Sequence, residues 1–326
     1  MPLQVMTMVQ AINLGLKQEM ARDKKVMILG EDVGVDGGVF RVTDGLQQMF
    51  GVERVIDTPL AESGIVGTSI GLAVGGMKPV AEIQFDGFMY SALDQLISHA
   101  SRIRTRSRGR FSCSMVLRIP CSGGVRALEH HSESPEAYFI HTPGLKVVIP
   151  STPYDAKGLI VSAIRDADPV IFLEPKKLYR SIKQQVPTEK FTVPLGKANV
   201  FREGTDVTII TYGAMMRPSI DAAEKLKEKT SCEVIDLRTL KPLDNQTIFE
   251  SVKKTGRAVI VQEAPRNCGF AAEISARIME NLLLSLKAPV ERVTGFDTPM
   301  PLFKLENYYL PNVNRIVKAV ERVAGF

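Results

Sequence analysis

Apolar and polar positions along the chain follow two alternating spacings. Residues 7–20 (TMVQAINLGLKQEM) carry apolar side chains at helical spacing behind a threonine that can cap the helix, and residues 26–30 form a short apolar run typical of a buried strand. Strand and helix patterns continue to alternate as far as residue 173. Such alternation is typical of a parallel sheet with helices on both faces, whose ligands bind at the carboxyl ends of the strands. The further elements predicted in this half are the strands 54–57, 78–85, 114–119, 145–150 and 170–173 and the helices 61–74, 89–104, 135–140 and 154–165.

The alternation is interrupted over residues 181–204. Pro187, Pro194 and scattered basic residues remove the periodicity there, so we interpret this stretch as a linker with some irregular strand. The sequence therefore predicts an α/β fold with two doubly wound domains, residues 1–180 and residues 205–326. The elements predicted in the second domain are the strands 206–212, 232–237, 258–262 and 290–293 and the helices 218–229, 245–254, 270–286 and 314–323.

Composition narrows the class of protein. Of 326 residues, 44% are hydrophobic and 24% charged, which is typical of a soluble globular protein. The net charge of +5 is modest, and the dense basic run at residues 102–110 closes a predicted helix, so we favour a contact with an acidic partner subunit over nucleic acid. Four cysteines without C-x-x-C spacing argue against zinc and against a disulfide framework. We expect no membrane association and a reducing compartment, either the cytoplasm or, for a processed eukaryotic chain, the mitochondrial matrix.

The first candidate for chemistry is Glu62, near the beginning of the apolar helix predicted at residues 61–74. Pro59 fixes the backbone just before this helix, and the helix is apolar on nearly every side, so we expect it to be buried. The helix dipole favours a charged carboxylate at this position, whereas desolvation opposes the charge more strongly if the site is dry. Glu62 is then either an acid that exchanges a proton near neutral pH or a simple helix cap, and these residues alone leave both open.

Several motifs resemble one family throughout the chain. They are DTPLAESGIVG (57–67), AEIQFDGF (81–88), ILGEDVGVDGGVFRVTDGL (28–46), SESPEAYFIHTPGLKVVIPSTPYDAKGL (132–159), EVIDLRTLKPLD (233–244) and KTGRAVIVQEAP (254–265). Together they are similar to the beta subunit of the decarboxylating component of 2-oxo acid dehydrogenase complexes. The resemblance implies a transketolase pyrimidine-type domain that binds thiamine diphosphate, followed by a transketolase C-terminal-type domain.

The resemblance assigns cofactor contacts to four residues. Glu62 takes the place of the glutamate that hydrogen-bonds the aminopyrimidine ring of thiamine diphosphate, and Leu60, Gln84 and Phe88 take the places of the other contacts. Related branched-chain enzymes have a tyrosine at the position of Phe88, so stacking beside the pyrimidine is retained here and a hydroxyl hydrogen bond is lost.

Two adjacent histidines lie in the polar stretch 126–134 (RALEHHSES), after a predicted strand, where functional side chains often lie. In the family, the histidine directly before serine in an H-S-x-S motif faces the reacting centre. That position is His131, to which the resemblance assigns proton transfer or the orientation of substrate and acceptor. His130 has no role that the family supplies.

The family also implies ligands that this chain lacks. Thiamine diphosphate enzymes hold the diphosphate and Mg2+ with a G-D-G motif followed by asparagine, and this sequence contains no G-D-G. The resemblance therefore implies an alpha subunit that supplies this half of the site in an alpha2beta2 heterotetramer. It further implies a potassium site, largely of backbone carbonyls. The residues at that site would be Cys113, Met115, Val116, Ala163, Asp166 and Asp168.

The implied reaction is oxidative decarboxylation of a 2-oxo acid with acyl transfer to the lipoyl group of a dihydrolipoyl acyltransferase. Residues 134–150 and 172–180 look closer to branched-chain members than to pyruvate-specific ones, and the sequence does not decide between these substrates. Two alternatives remain open: another transketolase-like thiamine diphosphate transferase, and a non-catalytic assembly subunit. A nicotinamide dehydrogenase is disfavoured because no G-x-G-x-x-G follows a strand.

Overall fold

Thr7 determines where the first helix begins. In the computed structural model, which describes residues 2–326, the Thr7 hydroxyl accepts the N–H of Gln10, and the Gln10 side chain accepts the N–H of Thr7. This reciprocal capping box satisfies two amides that the helix cannot bond internally. The cap predicted at this threonine is therefore confirmed.

Helices and strands alternate over the first 195 residues. The strands are β1 (Leu3–Thr7), β2 (Val26–Gly30), β3 (Val55–Asp57), β4 (Lys78–Glu82), β5 (Val116–Cys121), β6 (Lys146–Val148), β7 (Val170–Pro175) and β8 (Lys183–Pro187), and the helices are α1 (Met8–Arg22), α2 (Leu46–Phe50), α3 (Glu62–Val74), α4 (Ile103–Arg106), α5 (Glu136–His141), α6 (Pro153–Arg165) and α7 (Leu178–Ser181). Six of these strands run parallel in the order β6-β7-β5-β4-β2-β3. Strands β1 and β8 pair antiparallel with each other.

Every residue of β2, β5 and β7 is buried, as expected for strands inside a parallel sheet that is covered on both faces. Helix α1 packs very closely on α6. A Cβ atom at Gly15 of α1 would lie 2.6 Å from Cγ2 of Ile160, so glycine is required for this approach.

The remaining elements form a second unit. Its strands are β9 (Asn199–Arg202), β10 (Val207–Thr211), β11 (Cys232–Asp236), β12 (Thr239–Lys241), β13 (Ala258–Val261) and β14 (Glu291–Val293), and its helices are α8 (Met216–Leu226), α9 (Asn245–Thr255), α10 (Phe270–Leu282), α11 (Glu306–Tyr309) and α12 (Val313–Ala324). Five strands form a sheet in the order β14-β13-β10-β11-β9, in which β9 is antiparallel to its neighbour. The predicted α/β class is confirmed.

The two units are interleaved along the chain. The first runs to Cys121 and resumes over Tyr138–Leu195, whereas the second combines Ser122–Ala137 with Gly196–Phe326. Residues 122–137 lie within the first predicted domain in sequence but group with the second unit. The predicted linker contains β8 and β9, one in each unit.

The long helix predicted at residues 89–104 is wrong as a continuous α-helix. The chain there forms a 3₁₀ helix (Asp86–Ala92), a π-helical turn (Gln95–His99) and a second 3₁₀ turn (Ala100–Arg102) before α4. Serine hydroxyls in this segment donate to carbonyl oxygens of the preceding turn, including Ser101 to Ile97, and such bonds compete with the regular α-helical ladder. No helix among the described residues is long and apolar enough to cross a membrane.

Candidate active site

Glu62 is the first residue of α3, and its side chain bonds to a residue outside that helix. Ala61 occupies the N-cap position, and no described side chain caps this end of the helix. The Glu62 carboxylate is 9% exposed, and its Oε2 atom accepts a hydrogen bond from Oγ of Ser91 over 3.0 Å. Ser91 follows β4, so this bond links the carboxyl ends of two elements of the parallel sheet. The other carboxylate oxygen of Glu62 remains available to a ligand.

A second carboxyl group, Glu31, belongs to the same region and was missed by the sequence analysis. Glu31 is 8% exposed and directly follows β2, which lies between β3 and β4 in the sheet. Its pKa is raised above the ordinary value of 4.5, first by burial and then by the neighbouring carboxylates of Glu62 and Asp32. Burial and the two neighbouring carboxylates therefore favour the protonated form of Glu31. The available signal was a carboxylate directly after a buried strand, where ligand-binding residues of parallel sheets gather.

Gln84, a predicted cofactor contact, connects β4 to the loop after β2. Its Nε2 atom donates to Oδ2 of Asp32 over 2.9 Å. The same loop is held from the other side by Asp57, whose carboxylate accepts the N–H groups of Gly34 (2.6 Å) and Val35 (3.2 Å). These backbone amides therefore already have a partner, consistent with a tight loop at the end of a strand rather than a phosphate loop.

Apolar side chains lie in the same two segments of the chain as Glu62 and Ser91. The rings of Phe88 and Phe85 pack edge to face with centroids 5.7 Å apart, and Phe85 packs in the same way on Phe40 at 5.5 Å. Leu60, in the loop between β3 and α3, is 78% exposed. A buried carboxylate, a half-buried phenylalanine and an exposed leucine are the kinds of side chain that can contact a flat heterocycle with a polar edge.

His131 lies in the segment Ser122–Ala137, which groups with the second unit, whereas Leu60, Glu62, Gln84 and Phe88 lie in the first. Its Nδ1 atom is 2.7 Å from the carbonyl oxygen of Glu129. A proton on Nδ1 would donate to that oxygen. The neighbouring His130 is exposed and has a φ of 61°.

The six positions of the predicted potassium site lie around the beginnings of β5 and β7 and the end of α6. The carboxylates there are engaged by cations, because Lys146 Nζ lies 2.6 Å from Asp166 and Arg104 Nε lies 2.6 Å from Asp168. Burial, assisted by Asp168, raises the pKa of the Cys113 thiol to about 12. A potassium ion here would depend on carbonyl oxygens, and potassium stays a prediction. No group of three or more His, Cys, Asp or Glu side chains among residues 2–326 could hold a metal ion.

The parallel sheet that carries the candidate site also contains a buried cluster of ion-paired side chains. Arg118 of β5 donates to both oxygens of Glu174 on β7 (2.7 and 2.8 Å) and also to Glu82 on β4, and all three side chains are buried. Burial alone would lower the pKa of Arg118, but Glu174 and Glu82 raise it instead. Closer to the carboxyl edge, the buried Lys176 donates to Asp86 over 2.8 Å.

Comparison with known proteins adds to this geometry. Residues 4–182 match the transketolase pyrimidine-binding domain, and residues 196–316 match the transketolase C-terminal domain. The beta subunit of the pyruvate dehydrogenase E1 component from Bacillus subtilis is 53% identical over 322 residues, covering 98% of this chain and 99% of that subunit. The corresponding subunit from Acholeplasma laidlawii is 50% identical and covers 98% of both chains. A solved split-gene transketolase, an inactive beta4 tetramer, superposes with a TM-score of 0.80 at 20% identity over 98% of each chain, which shows the shared fold.

Proposed function

Because the chain belongs to the family of beta subunits of the pyruvate dehydrogenase E1 component, we propose that it forms half of a thiamine diphosphate site that oxidatively decarboxylates pyruvate. A chain of this family is a component of a 2-oxo acid dehydrogenase, an oxidoreductase. The observation that carries the proposal is the buried Glu62 carboxylate, one oxygen of which lies 3.0 Å from the Ser91 hydroxyl; that hydroxyl also lies 3.0 Å from the carbonyl oxygen of Phe88.

Each side chain then has a distinct task. Glu62 shares a proton with the ring nitrogen of the aminopyrimidine. Phe88 and Leu60 provide apolar contacts, and Gln84, beside them, holds the adjoining loop in place. Thiamine diphosphate, when bound, supplies the electron sink for decarboxylation. His131 moves a proton during acyl transfer to the lipoyl group of a dihydrolipoyl acyltransferase.

An alpha subunit completes the site in this proposal. The sequence has no G-D-G motif for the diphosphate and Mg2+, so a second chain must supply these ligands in an alpha2beta2 assembly. The isolated chain should therefore bind thiamine diphosphate poorly even with Mg2+ present. Titration calorimetry with and without the alpha subunit checks this, and tight Mg2+-dependent binding by the chain alone would contradict it.

The choice of substrate is tested with the reconstituted pair. The names of the similar subunits support pyruvate, whereas residues 134–150 and 172–180 resemble branched-chain members. We expect a higher kcat/KM for pyruvate than for 3-methyl-2-oxobutanoate in a decarboxylation assay with an artificial electron acceptor. The reverse order would favour a branched-chain enzyme, and no turnover of either acid would favour an assembly subunit.

A further inference from the structure

At the beginning of the segment Ser122–Ala137, the backbone conformation directs several N–H groups toward the same side. Residues with positive φ alternate with residues of ordinary φ, at Ser122 (71°), Gly124 (88°) and Arg126 (56°). Alternation of this kind turns successive N–H groups toward one side and forms a concave anion-binding nest. Left-handed backbone at serine and arginine is unfavourable, so the surrounding structure must hold it in place.

Buried carboxylates of the second unit fill this nest. Oε1 of Glu306 accepts the N–H of Gly124 over 2.6 Å, and Oε2 accepts the N–H of Arg126 over 3.1 Å. The N–H of Gly123 donates to Glu263 over 2.5 Å. Glu306 and Glu263 are 2% and 5% exposed, so water does not compete strongly for these amides.

Gly123 makes this close approach possible. A Cβ atom at this position would lie 2.7 Å from Cε of Met300 and 3.1 Å from Oε1 of Glu306. The other end of the segment is also tied to the second unit, because the Tyr212 hydroxyl donates to the Glu136 carboxylate over 2.8 Å. His131 therefore lies on a loop that is held at both ends, and Glu306 holds the end with the unfavourable backbone.

We infer that Glu306 is a positioning residue for His131, acting through the backbone nest at Gly124 and Arg126. The inference rests on the role proposed for His131 in transfer to the lipoyl group. A carboxylate that fixes the loop determines where the imidazole lies, and displacement of a reacting group by about 1 Å can cost about 10²-fold in rate.

The test uses the reconstituted heterotetramer with Glu306→Ala and Glu306→Gln. We expect Glu306→Ala to lower the lipoyl-dependent overall rate about 10²-fold, and to lower decarboxylation with an artificial acceptor much less. Glu306→Gln retains an acceptor oxygen and should restore part of the lost rate. Asp244→Asn is the matched control, because Asp244 is a buried carboxylate of the same unit that accepts the backbone N–H groups of Ala198 and Thr247.

A double variant separates positioning from general destabilisation. If Glu306 acts through His131, then Glu306→Ala in a His131→Ala background should add no further loss in the ratio of the two rates. Additive losses in the double variant would overturn the inference. It would also be overturned if Glu306→Ala lowered the overall rate and the decarboxylation rate by the same factor, which is the behaviour expected of the Asp244→Asn control.

Amide hydrogen exchange distinguishes this inference from the proposed role of His131. Glu306→Ala should accelerate exchange at residues 123–126 while leaving the core strands protected, and unchanged exchange there would overturn the anchoring. If His131→Ala lowers the overall rate and the decarboxylation rate equally, or changes neither, the proposed role of His131 is wrong. Amide exchange at residues 123–126 would still show whether Glu306 holds the loop.

Discussion

Two pairs of buried carboxylates lie in the first unit, one within its sheet and one at its carboxyl edge. Glu82 and Glu174 share the Arg118 guanidinium, which neutralises one of their two negative charges. Glu31 and Glu62 have no Lys or Arg partner among the described residues, and they interact unfavourably with each other. The ion pairs with Arg118 stabilise the fold, whereas burial and neighbouring carboxylates raise the pKa of Glu31, which has no cation beside it.

The largest effect is expected within the sheet. Arg118→Met would leave two buried carboxylates without their cation, and breaking a buried pair in this way costs about 3 to 5 kcal/mol of unfolding free energy. Urea unfolding measures this loss, with Lys227→Met as the control because Lys227 belongs to an exposed pair with Glu224. If Arg118→Met unfolds at the same urea concentration as the wild type, the triad does not stabilise the sheet.

At the carboxyl edge of the sheet, substitution of Glu62 should lower the rate of cofactor activation and leave the fold unchanged. Glu62→Gln retains size and hydrogen bonding but cannot exchange a proton, so the rate of cofactor activation should fall by about 10²- to 10⁴-fold. Hydrogen–deuterium exchange at the thiazolium carbon of the reconstituted enzyme measures this step, with heterotetramer formation measured alongside and Glu53→Gln, an exposed glutamate of the same unit, as control. Equal exchange in Glu62→Gln and the wild type would mean that Glu62 is not the proton-exchanging acid.

A smaller effect is expected for Ser91→Ala, which removes the hydroxyl that orients Glu62. Loss of one hydrogen bond to this carboxylate costs about 1 kcal/mol, which corresponds to about fivefold in the same exchange rate. Ser98→Ala is the matched control, since Ser98 donates to Asp94 in the same segment and makes no bond to Glu62. Identical rates in the two variants would show that Ser91 does not position the carboxylate.

The smallest expected effect is a change in the pH dependence of stability. The pKa of Glu31 is raised above 4.5 in the folded chain, so between 4.5 and the raised value the folded state binds more protons than the unfolded state. The contribution of Glu31 to the free energy of unfolding is therefore fully present below pH 4.5 and is lost as the pH rises through the raised pKa. Glu31→Gln should remove that loss, which urea unfolding of both proteins over a pH series will show. Parallel pH profiles would contradict the assignment.

Local signals in the sequence predicted much of the fold. The apolar run after Pro59 placed the helix at residues 61–74, within one residue of α3, and the threonine cap placed the beginning of α1. Strand β1 was missed, and β8 was predicted only as irregular strand within the linker, because both strands are short and mostly exposed. Their pairing joins Leu3 to Pro187, a contact between distant parts of the chain that no local pattern contains.

The candidate site divides in the same way. Glu62, Gln84, Phe88 and Leu60 were indicated by contiguous motifs, and the structure gathers them at one edge of the first sheet. The position of Glu31 directly after a buried strand was a local signal, but its closeness to Glu62, like that of Ser91, follows from the strand order, which brings together segments distant in sequence. Which unit carries His131 depends on hydrogen bonds to carboxylates far along the chain, and no pattern in residues 122–137 specifies those partners.

The interleaving of the two units has a consequence for how such proteins can be rearranged. The chain contributes Ser122–Ala137 to the second unit and then returns to the first until Leu195. A recombination event that exchanged everything after residue 195 would therefore bring in a foreign second unit while keeping the resident loop. The foreign second unit would need carboxylates at the positions of Glu263 and Glu306, because the loop amides would otherwise be buried without acceptors. Replacement of everything after residue 195 is therefore tolerated only where these acceptors are kept.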